Sequence, residues 1–149
     1  MVSRITKSQY LEMYSVVGAA LEVHKSLGRG LEEAIYQEAF EFELKTEQIR
    51  YEAQKALHTY YKGHQLKKIY QADLICFDGI MVEIKAVDNI CSEHRAQLLN
   101  YMRITKIKRG ILINFGEKSL RVERYVYQED SDDFALINES NLKVYVKAD

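Results

Sequence analysis

The segment Gln71-Ala72-Asp73-Leu74-Ile75-Cys76-Phe77-Asp78-Gly79-Ile80-Met81-Val82-Glu83-Ile84-Lys85-Ala86 constrains the fold most, because it sets three charges inside a hairpin that also has an apolar face to bury. Residues two apart in a strand share a face, so Glu83 and Lys85 project together. Asp78-Gly79 is a strong turn signal between the two strands. The parity of that turn decides where Asp73 goes. A two-residue loop sets Leu74 against Glu83 and mixes charge into both faces. An odd loop, such as Asp78-Gly79-Ile80 with a glycine bulge, sets Asp73 against Lys85 and Ile75 against Glu83. It also collects Ala72, Leu74, Cys76, Val82, Ile84 and Ala86 into one apolar face, and burial selects that arrangement. Asp73, Glu83 and Lys85 are therefore expected to cluster on the other face.

Cross-strand neighbours lie about 5 Å apart and diagonal ones about 7–8 Å. Two carboxylates at that separation suit one hard divalent cation, which acidifies a water and stabilises charge on a phosphoryl oxygen. A lysine alongside orients that water or stabilises the developing charge. Charge spacing alone fits a plain surface ion pair as well, since Asp, Glu and Lys alternate in many strands.

The flanking sequence supplies the layers. Tyr10, Tyr14, Val17, Leu21 and His24 recur at steps of four and three, the stripe of an amphipathic helix that Gly28 ends. A second helix carries Leu31, Ile35, Ala39 and Phe42 on its apolar face, with Glu33, Tyr36 and Phe40 on the adjoining stripe. Gly30 is placed as its N-cap, with Glu33 third. From about Arg50 the period becomes two, and a strand to Tyr61 turns at Lys62-Gly63-His64 into a second strand to Phe77. Met81 to Ala86 completes a meander. Ser92 caps a third helix running to about Thr105, and Ile111-Leu112-Ile113 reads as a strand covered on both faces, parallel to the third. Leu120 to Tyr127 adds another strand, Glu129 to Asp133 a solvated acidic loop, and Lys143 to Lys147 a final edge strand. The expectation is an α/β (α+β) fold with a mixed β-sheet flanked by helices, as a single domain over residues 1–149.

Composition excludes several classes. With 47% hydrophobic and 29% charged residues the chain is not disordered. A formal charge of -1 means that any contact with nucleic acid comes from local patches. Arg103, Lys106, Lys108 and Arg109 form one, at the end of the third helix, and Lys62, Lys67 and Lys68 another, although basic helix ends also offset the helix dipole. Cys76 and Cys91 form no disulfide framework, zinc-ligand spacing is absent, and neither a Gly-rich phosphate loop nor a Gly-x-Ser-x-Gly elbow occurs. No run approaches the ~18 apolar residues of a membrane span and Met1 to Ile5 lack a signal-peptide core, so a soluble cytoplasmic protein is expected.

Asp73, nine intervening residues and Glu83-Ile84-Lys85 resemble the Asp…Glu-x-Lys signature of the PD-(D/E)XK nuclease superfamily. Gly30-Leu31-Glu32-Glu33-Ala34-Ile35-Tyr36 resembles the Gly-x-x-Glu-x-x-Tyr motif of the GxxExxY family. Val82 to Val87, His94 to Tyr101 and Gly110 to Gly116 are similar to that family too, so the likeness runs from about Tyr14 to Phe115. The resemblance implies a restriction-endonuclease-like core and metal-dependent hydrolysis of phosphodiester bonds, with DNA as partner and Mg²⁺ or Mn²⁺ as cofactor. It implies metal ligation by Asp73 and Glu83, Lys85 as catalytic lysine, and Glu33 as the helix glutamate that joins the metal site. Gln97 and Tyr101 match the Gln-x-x-x-Tyr motif of RecB-like nucleases, where these residues hold the strand or the site. Gly28-Arg29-Gly30 replaces the family's Gly-Pro-Gly, and Gln71 stands where relatives often carry arginine. A non-catalytic nucleic-acid-binding or protein-interaction module is the alternative, because fold and chemistry separate readily. The oligomeric state stays open, a homodimer included.

Overall fold

The computed structural model describes every residue, 1–149. Thr6 opens helix α1 (Lys7–Leu27) with a capping box: its Oγ1 accepts from the Gln9 N–H, and Gln9 Oε1 accepts from the Thr6 N–H. Gly28 closes the helix in the left-handed region, φ +67°. The buried side of α1 is Met13, Val16, Val17, Ala19, Ala20 and Val23, while Tyr14 and Leu21 of the expected stripe are exposed. α1 packs on helix α2 (Glu33–Thr46) as well as on the sheet, and its small residues allow the close approach that Tyr14 and Leu21 would block. α2 is likewise turned from expectation. It buries Tyr36, Phe40 and Leu44, leaving Leu31, Ile35 and Phe42 exposed. Tyr36 decides that rotation. Its ring stacks on Phe115 at 4.7 Å between centroids, and its hydroxyl donates to the Gly28 carbonyl at 2.6 Å, tying down the α1–α2 turn.

The main sheet has strands β2 (Tyr51–Tyr61), β3 (His64–Cys76), β4 (Ile80–Lys85), β5 (Arg109–Asn114), β6 (Arg121–Gln128) and β7 (Asp133–Ile137), in that spatial order. The β4–β5 pair is parallel, as expected across helix α3 (Ser92–Thr105), and the others are antiparallel. Cys91, one residue before the expected Ser92, is the N-cap of α3. One sheet face packs against α1 and α2 through Leu74, Cys76, Ile80, Val82, Ile84, Ile111, Ile113 and Phe115. On the other, Leu57, Ile75, Met81 and Leu112 pack against Leu98 and Met102 of α3.

The C-terminal part departs furthest from expectation. The acidic stretch is the β6–β7 turn and the start of β7, and its acids pair with Arg103 of α3 and Lys108 of the α3–β5 loop rather than with water alone. Lys143 to Lys147 divide between a four-residue helix α4 (Leu142–Tyr145) and a strand β8 (Val146–Lys147) that pairs in parallel with β1 (Ile5–Thr6). Five alternating residues are too few to specify an edge strand when the chain's own N-terminus offers a partner. No helix is long and apolar enough to cross a membrane.

Candidate active site

The β3–β4 turn is Phe77-Asp78-Gly79, with Cys76↔Ile80, Ile75↔Met81 and Leu74↔Val82 paired above it. The loop is odd, as burial required, but its register differs by two from the Asp78-Gly79-Ile80 loop, and Asp73 comes level with Glu83 rather than Lys85. Phe77 (φ 54°) and Asp78 (φ 58°), not Gly79, take the left-handed conformation. A Cβ at Gly79 would lie 2.9 Å from Arg109 Nη2, so a larger residue there would make the guanidinium shift.

Beyond Leu74↔Val82 the ladder stops and the two carboxylates take over its hydrogen bonds. Asp73 N–H donates to Glu83 Oε1 at 3.0 Å, and Ile84 N–H donates to Asp73 Oδ2 at 2.9 Å. On the other side of Asp73, Gln54 in β2 has φ 52° and drops out of the pairing between Ala53↔Leu74 and Lys55↔Ala72. β3 is therefore kinked at Asp73. The kink carries Ala72 off the apolar face expected for it and packs it with Leu57, Ile75 and Met81 under α3.

Glu83 is 1% exposed. Burial, then the charge and hydrogen bond of Asp73, push its carboxyl up to about 9, against the pull of Lys85. Lys85 Nζ donates to Gln97 Oε1 at 2.6 Å, and Gln97 Nε2 donates to Tyr101 Oη at 3.1 Å. Gln97 and Tyr101 thus approach from α3. Glu33 approaches from α2 on the opposite side, lining a cavity of about 830 Å³ with Gln37, Glu41, Gln54 and Asp73. It is the first helical residue, not the third, and Glu32 is the N-cap, with no side-chain cap bond. Burial and then Asp73 raise the Glu33 carboxyl, and Lys85 lowers it. Asp73 and Glu83 form a pair, and no group of three or more His, Cys, Asp or Glu comes close enough to hold a metal ion.

The basic cluster is not one surface. Arg109 is 7% exposed and turned toward α1, where Nη1 donates to Glu12 Oε1 and to the Gln9 carbonyl, both at 2.8 Å. Strand alternation puts it with Ile111 and Ile113, so it is structural rather than a phosphate contact. Lys108 Nζ lies 2.7 Å from Glu129 Oε1, and Arg103 Nε lies 3.7 Å from Asp132 Oδ1. Lys106, the left-handed C-cap of α3, stays exposed.

Two polar groups of the α3 face went unforeseen. Arg95 of α3 grips the buried Glu123 of β6 with Nε–Oε1 2.8 Å and Nη2–Oε2 2.9 Å, and the exposed Arg121 and buried Tyr125 complete the network. Asn114 is fully buried and binds both backbone groups of Val87, the second residue after β4: its Oδ1 accepts from the Val87 N–H at 3.0 Å and its Nδ2 donates to the Val87 carbonyl at 2.8 Å. Gly116 makes room for that clamp, since a Cβ there would stand 2.2 Å from the Val87 carbonyl oxygen. The exit of β4, and with it Lys85, is fixed by these contacts.

A family model described as the PD-(D/E)XK nuclease superfamily matches residues 11–125, which include every residue of this site. The chain belongs to the PD-(D/E)XK nuclease superfamily. Its six-stranded mixed sheet flanked by helices is the restriction-endonuclease-like fold of that superfamily. No curated protein and no solved structure matches the chain. In this superfamily member the signature residues Asp73 and Glu83 meet where β3 and β4 part, and Lys85 follows on the same face as Glu83.

Proposed function

We propose that this chain is a divalent-metal-dependent nuclease that hydrolyses phosphodiester bonds of DNA. The observation that carries the reading is the Asp73–Glu83 pair: two hard carboxylates facing each other at the fork of a hairpin, with Lys85 beside them and held by Gln97. That donor set fits Mg²⁺ or Mn²⁺, which take carboxylate oxygen and keep several waters, so two protein ligands suffice. A buried carboxylate beside a second one is unfavourable as an anion, and a bound divalent cation removes that penalty. Asp73 and Glu83 would hold the ion. When bound, it supplies positive charge to the phosphoryl oxygens and acidity to water.

The chain's own residues do the rest. Lys85 presents Nζ to the phosphoryl oxygens, stabilising the charge that grows on them as water adds to phosphorus. Gln97, itself bonded to Tyr101, fixes the direction of Nζ. Glu33 lies outside the carboxylate pair and lines the adjoining cavity with Asp73.

The test is cleavage of single-stranded, double-stranded and branched DNA, and of RNA, at fixed ionic strength with Mg²⁺ or Mn²⁺. Wild type is expected to cut DNA and to stop in EDTA. Asp73→Ala, Glu83→Ala and Lys85→Ala are expected to lower the rate by about 10²–10³-fold or more, the range for removing one group that stabilises transition-state charge. The first two should also abolish the metal-binding heat in calorimetry. A folded wild type that cuts nothing and binds neither ion would leave a non-catalytic module.

A further inference from the structure

The β2–β3 ribbon extends past the sheet. β4 pairs β3 only from Leu74 to Cys76, so the ribbon beyond Leu57 and Tyr70 has no neighbouring strand, and all residues from Tyr60 to Gln71 are exposed. Its tip is a tight turn, with Lys62 (φ 48°) and Gly63 (φ 81°) both left-handed. Register slips between His58 and Tyr60, a bulge that bends and twists the ribbon. Between Ala53 and Ala72 the sequence has no Asp or Glu, whereas it has Lys55, Lys62, Lys67 and Lys68. In a chain of formal charge -1 this is the one long protrusion without an acid, and it carries exposed Tyr60, Tyr61, Leu66, Ile69 and Tyr70.

Leu66, Lys68 and Tyr70 share one face of β3 and look across a groove of about 680 Å³ at Asn100, Arg103 and Ile104 of α3. The groove reaches Gln97, the residue that holds Lys85. Tyr70 forms the junction. The residue is 38% exposed, and its ring lies 5.7 Å from the Tyr101 ring at a tilt of 50°, with Lys68 Nζ 5.6 Å from its centroid. Glu93 is the single acid in the lining.

We infer that this groove seats a single-stranded segment of nucleic acid leading to the Asp73–Glu83–Lys85 site, with a base stacked on Tyr70 and phosphates on Lys68 and the ribbon lysines. The inference rests on the nuclease reading and adds where the strand runs. The ribbon's lysines, with no acid among them and only Glu93 facing them across the groove, select a polyanion. The apolar area of Leu66, Tyr70 and Ile104 selects an unpaired strand, because the base faces of a duplex are already stacked inside it and only splayed bases reach aromatic side chains.

The test is fluorescence anisotropy on the full chain in EDTA, where nothing is cut, with a labelled poly-dT strand and a blunt duplex of equal length. The wild type is expected to bind the strand more tightly than the duplex. Tyr70→Leu is expected to weaken strand binding by about tenfold, within the range for losing one base–aromatic stack. Lys62→Gln with Lys68→Gln is expected to reduce the slope of log K against log salt by about 1.4, or roughly 0.7 per phosphate contact on a single strand. Both lysines are exposed, so this double variant stays folded even if Tyr70→Leu does not. Unchanged binding and slope in the double variant overturn the assignment, as does tighter binding of the duplex. Ribbon substitutions that turn a dimer into a monomer and leave strand binding intact overturn it too, because a second copy then covers the groove. Cleavage that persists while ribbon variants bind normally sinks only this inference. Absence of cleavage in wild type, with ribbon-dependent strand binding intact, sinks only the nuclease reading.

Discussion

The two faces of the sheet are built on opposite principles. Toward α1 and α2, Leu74, Cys76, Ile80, Val82, Ile84, Ile111, Ile113 and Phe115 form an apolar layer. Toward α3, Glu83, Asn114 and Glu123 are buried among Ile75, Met81, Leu112 and Tyr125. Apolar burial stabilises without regard to direction. Buried polar groups cost free energy unless their partners are in place, so the α3 face is the one on which side-chain directions are dictated. The proposed chemistry lies there because a lysine can be aimed only where something holds it, and Gln97 holds Lys85.

The largest effect that would break this comparison is on the apolar face. Phe115→Ala is expected to cost about 3–5 kcal/mol in urea denaturation, since Phe115 is fully buried between Tyr36 and Phe40. A loss under about 1 kcal/mol would mean that the α1–α2 face is not where stability resides.

On the polar face the expected effect is smaller and depends on pH. The hydrogen bonds of Arg95 first, and those of Tyr125 and Arg121 after it, hold the Glu123 carboxyl down at about 2 against burial. A carboxyl depressed below its ordinary 4.5 adds stability above that value, and the gain is lost as pH falls toward 2. Glu123→Gln should therefore cost about 1.5–3 kcal/mol at pH 7, the range for hydrogen bonds to a charged group, and the two melting curves should converge near pH 2. A constant gap across that window would show that packing, rather than charge, is what Glu123 contributes.

The smallest effect sharpens the reading of α2. Phe42→Ser is expected to change stability by no more than about 0.5 kcal/mol, because Phe42 is 72% exposed. A cost of 2 kcal/mol or so would restore the stripe of Leu31, Ile35, Ala39 and Phe42 as the packed face.

Alternation made the hairpin legible. Only an odd loop buries Leu74, Val82 and Ile84 together, and that parity alone brings Asp73, Glu83 and Lys85 near one another. The exact register was not legible, because loops that differ by two give the same faces. The helix faces misled for a related reason. A stripe such as Tyr14 and Leu21 is chosen by hydrophobicity, whereas α1 packs through the small side chains that let it approach α2. Charge runs carried no pairing information either. Arg103 and Lys108 find Asp132 and Glu129 more than twenty residues away, and Arg109 finds Glu12 97 residues away, so a run that reads as a free basic patch is largely spoken for. The Tyr36 tether and the Asn114 clamp depend on backbone carbonyls brought close only by folding.

The carboxylates that stand in for missing ladder bonds make the site a reporter on itself. The amide protons of Asp73 and Ile84 are held by oxygens of Glu83 and Asp73, not by a neighbouring strand. A cation drawing on those oxygens changes the electron density each amide sees. In a ¹H–¹⁵N spectrum these two resonances should therefore shift on titration with Mg²⁺, while amides of a regular pair away from the site, such as Val126 and Ala135, stay fixed. Occupancy can then be read residue by residue in a protein that is cutting nothing.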